Sequence, residues 1–222
     1  FKKAVQVLNN AINKIEADPI STLFINNVPA GIDIKNTLFA LKARYALFAG
    51  DSLVAFDAAK LVDLTKKSVF NFEGAFPNPL FAFTNTKIVQ AIDSTFGLLD
   101  TTLRPSKLDK RIAFYMSINE KEAPRFRYSG FGATNVTPIP VYLPSEMLLI
   151  KAEYYARKGM LTEALTELNA VITKNPTIDI YGLGANQPSY FTTSQDALLN
   201  QIYRNRCIEL YMSGLKLEDT RR

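Results

Sequence analysis

The chain has 222 residues, 47% of them hydrophobic, which is enough for a sizeable core in one domain or two small ones. It has no histidine and a single cysteine, Cys207, which excludes Ser-His-Asp and Cys-His catalysis, His-ligated metal sites and an internal disulfide. The net charge is +5, but the basic residues are scattered apart from Arg125/Arg127 and Arg221/Arg222, so no nucleic-acid partner is expected.

No segment approaches the roughly 18 uncharged apolar residues of a membrane span. The chain opens at Phe1 with neither a start Met nor a signal segment, and reads as a piece of a longer protein. Val5, Leu8, Ile12 and Ile15 recur at helical spacing and predict an amphipathic helix over 1–17, ended by Asp18-Pro19. Residues 19–35, rich in Pro, Asn and Gly, read as a loop. Asn36 is read as the N-cap of a helix running to about Ala49, and Asp51 as the cap of a second, to about Lys66. Gly50 makes the turn between them.

The segment LKARYALFAG (41–50) resembles IKAEYYARKG (150–159), and Ala55 and Val62 match Ala164 and Val171. Two related helical hairpins are therefore predicted, at 36–66 and 145–175. The alanines allow close helix approach and Gly50 and Gly159 the turns. In the second unit Ala152, Tyr155, Gly159, Ala164 and Pro176 fall at tetratricopeptide spacing. The first unit has Ala46 where the tyrosine belongs and lacks the proline. Two separated units do not form a continuous solenoid, so something other than simple stacking is expected to complete the core.

Between the hairpins lies a loop-rich insertion, 67–142. Phe70, Phe72, Phe76, Phe81 and Phe83 are read as core anchors for it. Residues 86–100 suggest a helix with Ile88, Ile92, Phe96 and Leu99 on one face, and 112–118 and 125–131 suit two strands. A second irregular loop spans 176–192. Ser194 or Thr193 then caps a long helix to about Ser213, stopped by Gly214. Cys207 sits in that helical pattern as a small buried hydrophobe, with a reactive thiol as the alternative. The fold class is all-α in the main, with long irregular loops and a short β-hairpin.

Two segments carry a resemblance to a known family. The first is YLPSEMLLIKAEYYARKGMLTEALTELNAVI (142–172), with Pro144, Glu146, Ala152, Glu153, Gly159, Leu168 and Asn169. The second is the close of the chain, with Arg206, Glu209, Leu210, Gly214, Asp219 and Arg222. LDKRI (108–112) adds an Asp-Pro-Arg-like element with Lys110 in place of Pro. Together they resemble the SusD/RagB family of Bacteroidetes surface nutrient-binding lipoproteins. Asn205 and Lys216 depart from its pattern, which usually has Glu and Arg at those places.

The resemblance implies that 1–222 is a single SusD-like domain lacking the early part of the family domain, on a tetratricopeptide-like scaffold. It implies a non-catalytic protein that captures oligosaccharide on the extracellular face of the outer membrane. The protein would be held there by an N-terminal lipid outside this chain, and would work as a lid over a SusC-like TonB-dependent transporter. Some members take peptides instead. A tetratricopeptide-type adaptor between proteins is the other alternative. No cofactor and no metal are called for.

Sugar binding needs aromatic faces flanked by amides or charges. The candidates are Tyr128, Phe131, Tyr181, Tyr190 and Phe191, near Asn135, Asn186 and Gln187. Structural ion pairing is the expected role of Arg206, Glu209, Asp219 and Arg222. An enzyme would need a carboxylate pair; Asp109, Glu120 and Glu122 are the candidates, but nothing in the sequence fixes them around a cleft.

Overall fold

The computed structural model describes residues 1–85, 91–118, 120, 123 and 125–221. The scaffold is a layer of helices packed in chain order: α1 (Lys2–Ala17), α3 (Ile34–Phe48), α4 (Ser52–Lys60), α7 (Pro144–Arg157), α8 (Leu161–Ile172) and α9 (Gln195–Glu209). Short helices α2 (Thr22–Asn27), α5 (Pro79–Asn85), α6 (Lys110–Tyr115) and α10 (Lys216–Thr220) lie between or after them.

The two hairpins are α3–α4 and α7–α8. Ala43 and Ala55 are fully buried in one, Ala152 and Ala164 in the other. Gly50 and Gly159 turn them with φ of +81° and +76°, a region costly for any residue with a Cβ. Far apart in sequence, the hairpins nonetheless stack directly. Ala58 and Ala59 of α4 share a core cluster with Met147 and Ile150 of α7. Phe56 stacks on Tyr154 at 4.2 Å and meets Tyr155 edge-on at 5.0 Å. The expectation that something other than stacking completes the core is therefore overturned: the hairpins pack on each other, flanked by α1 through Val5 and Ile12 and by α9 through Leu198 and Ile202. Each large side chain buried this way contributes about 1.5–3 kcal/mol.

A buried ion pair also joins the hairpins. Arg44 reaches Glu146 with Nε at 2.7 Å and Nη2 at 2.6 Å, and Nη2 donates to the Val141 carbonyl at 2.9 Å. This accounts for Glu146 in the first motif, just after Pro144 opens α7.

Several boundaries differ from the sequence reading. The loop 19–35 contains α2, capped by Ser21 and buried nowhere. Asp33, not Asn36, caps α3; Asn36 is buried within its first turn and its amide oxygen accepts the Asp63 N–H at 2.9 Å. That bond accompanies the end of α4 at Lys60 rather than Lys66, and Asp63 then closes a turn on Thr65. Ser194 is the cap of α9, which stops at Glu209 because Met212 and Gly214 both take positive φ.

The insertion departs furthest. None of the five phenylalanines over 70–83 is buried; Phe76 is 73% exposed. Asn78 anchors the segment instead. Its buried amide donates to the carbonyls of Phe131 and Thr137 at 2.7 and 2.6 Å and accepts from the N–H groups of Leu80 and Phe81. The suggested helix over 86–100 is absent from 91–100, where Phe96 and Gly97 take φ of +56° and +68°; residues 86–90, with Ile88, lie outside the described residues. Residues 112–118 are only half strand. Asp109 accepts from the Arg111 N–H and starts α6, and β2 (Met116–Ile118) then pairs antiparallel with β3 (Phe126–Tyr128). A second antiparallel pair, β1 (Val69–Phe70) with β4 (Ile139–Pro140), closes the insertion onto the scaffold.

Ala152→Phe forces a ring into the α7–α8 contact, where no exposed surface is left, and is expected to destabilise by about 1–3 kcal/mol through overpacking. Denaturant unfolding measures this; an unchanged midpoint would mean that the close approach of the helices is not what the alanines provide.

Candidate functional site: an aromatic cleft on the irregular face

A buried charge cluster fixes the loops. Arg111, 1% exposed, donates to Asp109 (3.0 and 2.7 Å), to Glu209 (3.0 Å) and to the Asn205 amide oxygen (3.0 Å). Lys174 closes the cluster from α8's end, reaching Glu209 at 2.8 Å, Asp179 at 3.1 Å and the Ser145 hydroxyl. Asp109, a candidate acid, is thus consumed by structure. Glu120 is exposed, and Glu122 lies outside the described residues.

Arg206 pairs with Asp219 at 2.9 Å, so the closing motif ties α9 to α10 as read from the sequence; Arg222 lies outside the described residues. The two departures also have structural work. Asn205 keeps a neutral acceptor beside Arg111, and Lys216 donates to the Phe96 and Gly97 carbonyls at 3.1 and 2.8 Å, holding their strained turn. Cys207 is buried, and burial pushes its thiol up, away from reactivity.

The loop 176–192 is clamped at both ends. Asp179 accepts from the N–H groups of Tyr181 and Leu183, and the Ala185 carbonyl accepts from Lys110. Asn169, the motif asparagine, both donates to and accepts from the Tyr190 backbone. Gly184 passes so close to the chain at Lys174–Pro176 that a Cβ there would lie 2.4 Å from the Lys174 carbonyl oxygen.

These clamps bring Tyr181 against Phe131, ring centroids 5.9 Å apart and edge-on. The two rings, with Phe114, Lys67, Thr137 and Ile180, line a cleft of about 240 Å³. Phe114 packs edge-on against Phe131 at 5.2 Å. Lys67 Nζ lies 5.4 Å from the centre of the Tyr181 ring, within cation–π range. The Ser68 N–H donates to the Tyr181 hydroxyl at 3.3 Å; burial, partly offset by that bond, pushes the hydroxyl up to about 12, so it stays protonated at neutral pH. Among the described lining residues there is no carboxylate.

A second cavity, of about 220 Å³, lies on the other side of Phe131. Tyr115, Tyr128, Tyr211, Leu80 and Met212 are among its walls, with Arg44 and Glu146 at its scaffold side. Tyr115 is stacked with Tyr128 at 6.0 Å, and its hydroxyl donates to the Glu209 carbonyl at 2.6 Å.

Of the sequence candidates, then, Phe131 and Tyr181 share the cleft and Tyr128 lines the neighbouring cavity. Asn135, Asn186, Tyr190 and Phe191 line neither. Asn135 presents its carbonyl to Asn78, and Asn186 takes φ +50° with its N–H on the Lys174 carbonyl. Tyr190 packs beside the α7–α8–α9 core, and Phe191 is 79% exposed. Lys67, Phe114 and Thr137 were not legible as site residues. Phe114 stood in a segment that read as strand, and nothing local marks the other two. Among the described residues, no group of three or more Cys, Asp or Glu is placed to hold a metal ion.

No protein-family model matches the chain, and no curated protein does. Solved structures do. A SusD superfamily protein from Bacteroides fragilis superposes with a TM-score of 0.65 at 19% identity, over 97% of this chain and 54% of that one. A SusD-like carbohydrate binding protein from Bacteroides vulgatus follows with a TM-score of 0.63 at 18% identity, over 97% and 50%. The chain has the SusD-like fold. A SusD/RagB family protein from Bacteroides thetaiotaomicron, at 0.57 and 15%, covers 98% of this chain and 58% of its own. The chain thus spans a little over half the length of these SusD-like proteins. The mainly helical SusD-like architecture expected from the two motifs is the one found.

Glu209 supplies a pH test of the charge cluster. Burial pushes its carboxyl up, but Lys174 and Arg111 more than offset this and hold it below the usual carboxylate range. A depressed carboxylate contributes stability that is complete above its unfolded value, about 4.3, and is lost as pH falls through the lower folded value. Melting temperature is expected to hold from pH 7 to about 5 and fall below about 4. Glu209→Gln should flatten part of that acid limb and cost about 3–5 kcal/mol at pH 7, since it strands buried cations. A variant with wild-type stability and acid response would show that Glu209 is not a central partner.

Proposed function

We propose that this chain is the later part of a SusD-like nutrient-binding protein that captures a glycan and leaves it chemically unchanged. The observation that carries this reading is the cleft of Phe131, Tyr181 and Phe114 beside Lys67 and Thr137. Rings offer apolar faces to pyranose C–H groups, and a cation and a hydroxyl offer partners to sugar hydroxyls. The cleft is built from loops on a rigid helical layer, the usual place for binding residues. Lining groups without a carboxylate favour a binder over a glycosidase, whose chemistry needs two acids across the scissile bond. The fold it shares with a SusD-like carbohydrate binding protein points the same way.

In this reading the whole protein sits on the extracellular face of the outer membrane, held by a lipid outside this chain. It passes its oligosaccharide to a SusC-like TonB-dependent transporter. The gene beside this one tests that part: a transporter barrel is expected there.

Titration calorimetry with panels of oligosaccharides and of peptides tests the ligand class on the full-length protein. Tyr181→Ala and Phe131→Ala are each expected to weaken glycan binding about 3- to 10-fold through lost ring contact. Leu53→Ser, on the exposed face of α4, should leave it unchanged. Chromatography of the incubated mixture should return the glycan intact. Binding of peptides alone, loss of affinity only in the α4 variant, or turnover that follows the protein through purification would each overturn the reading.

A further inference from the structure

The aromatic cleft carries a charge that the protein does not answer. Lys67 is the one charged side chain among its described lining residues. Among the described residues its ammonium has neither an ion pair nor a hydrogen bond; it meets the Tyr181 ring, 5.4 Å away. The acids of the neighbouring segments are engaged elsewhere. Asp33 meets Lys66 at 3.9 Å and caps α3. The Asp63 carboxylate accepts from the Thr65 N–H and hydroxyl at 3.0 and 2.7 Å. Asp179 pairs with Lys174 at 3.1 Å and accepts the N–H groups of Tyr181 and Leu183. Lys67 is the charge left over.

An unpaired surface lysine means little by itself. Lys67 differs in its place. Its ammonium is drawn to an aromatic face by cation–π attraction. It stands beside an otherwise uncharged wall that includes Val69, Phe131, Pro138 and Ile180, where an opposite charge gains more than in open water. A pyranose laid against Phe131 and Tyr181 gives its C–H groups to the rings and carries its substituents at its rim, toward the ammonium. A hydroxyl there makes an ordinary hydrogen bond. A carboxylate or a sulfate makes a charge-assisted one, roughly twice as strong.

We infer that the cleft selects an acidic glycan, one whose pyranose carries a carboxylate or a sulfate, and that Lys67 is the residue that selects it. This rests on the glycan reading of the cleft and narrows it. The shared chemistry is an anionic group on a sugar ring; uronic acids and sulfated sugars are its two sources.

Matched pairs of oligosaccharides test it by calorimetry on the full-length protein. Galacturonate, mannuronate and hyaluronan fragments are compared as free acids and as methyl esters, which keep the ring and remove the charge. A sulfated galactan fragment is compared with its desulfated form. In at least one pair the anionic member is expected to bind about 3- to 10-fold more tightly, a modest factor because Lys67 is exposed. That preference should shrink as salt rises from about 50 to 500 mM. Lys67→Gln should bring the anionic member down to the affinity of its neutral counterpart, and Lys67→Arg should keep the preference. Lys67 has no protein ion pair to lose, so the melting temperature should hold. Lys66→Gln, at the lysine already paired with Asp33, should leave the preference intact.

A preferred carboxylate identifies a uronic acid and a preferred sulfate a sulfated sugar; either supports the inference. Equal binding within every pair overturns it, as does a preference that survives Lys67→Gln or is lost in Lys66→Gln. If neutral oligosaccharides bind without preference and Tyr181→Ala weakens them, glycan capture stands and only the acidic selection falls. If no oligosaccharide of either kind binds, or only acidic peptides do, both fall.

Discussion

The irregular half of this protein depends on one guanidinium. Arg111 is buried with two carboxylates and an amide around it, and Lys174 extends the cluster to Asp179. Its partners come from the start of α6, the middle and end of α9, the end of α8 and the 176–192 loop. Charges taken out of water are costly unless each is paired and hydrogen-bonded. Here every formal charge has an opposite neighbour, and the Asn205 amide takes a remaining donor. The cluster supplies geometric definition that short strands and turns could not: β2–β3 and β1–β4 are each too small to hold a shape alone.

The helical layer and the loops divide the work. Small residues at Ala43, Ala55, Ala152 and Ala164 bring the helices close, and aromatic contact between Phe56 and Tyr154 locks one hairpin on the other. That layer is insensitive to what its loops do. The loops reach it through single polar side chains with several bonds each. Asn78 ties the insertion, Asn169 the 176–192 loop, and Glu146 the entry to α7. A single such amide or carboxylate replaces the apolar anchoring that a phenylalanine-rich segment suggests. It leaves aromatic rings free to line cavities.

The result is a run of rings from Tyr181 through Phe131 and Tyr115 to Tyr211 and Phe96, each in edge or offset contact with the next. These geometries are the favourable ones for aromatic pairs. They make a wall shared by the cleft and the neighbouring cavity. Rigid walls bind with little ordering cost, which suits a protein whose proposed task is capture.

Periodicity and small-residue spacing determined the hairpins, and the two motifs pointed to the SusD-like architecture that the structure has. Those signals are local, because a helix writes its buried face into every third or fourth residue. The motif acids and bases were legible as ion pairs, since Arg206 and Asp219 lie close in sequence. What the sequence by itself left open was decided by contacts between distant residues. Phe70, Phe76 and Phe83 look like core by composition, yet they are exposed because Asn78 holds the segment by its backbone. Phe96 sits in an apparent helical stripe, yet its positive φ and the reach of Lys216 from the far end of the chain make a turn. The cleft joins Lys67, Phe114, Phe131 and Tyr181 from four separate segments. No spacing rule connects them, because their meeting depends on buried charges whose pairing exists only once the chain has folded.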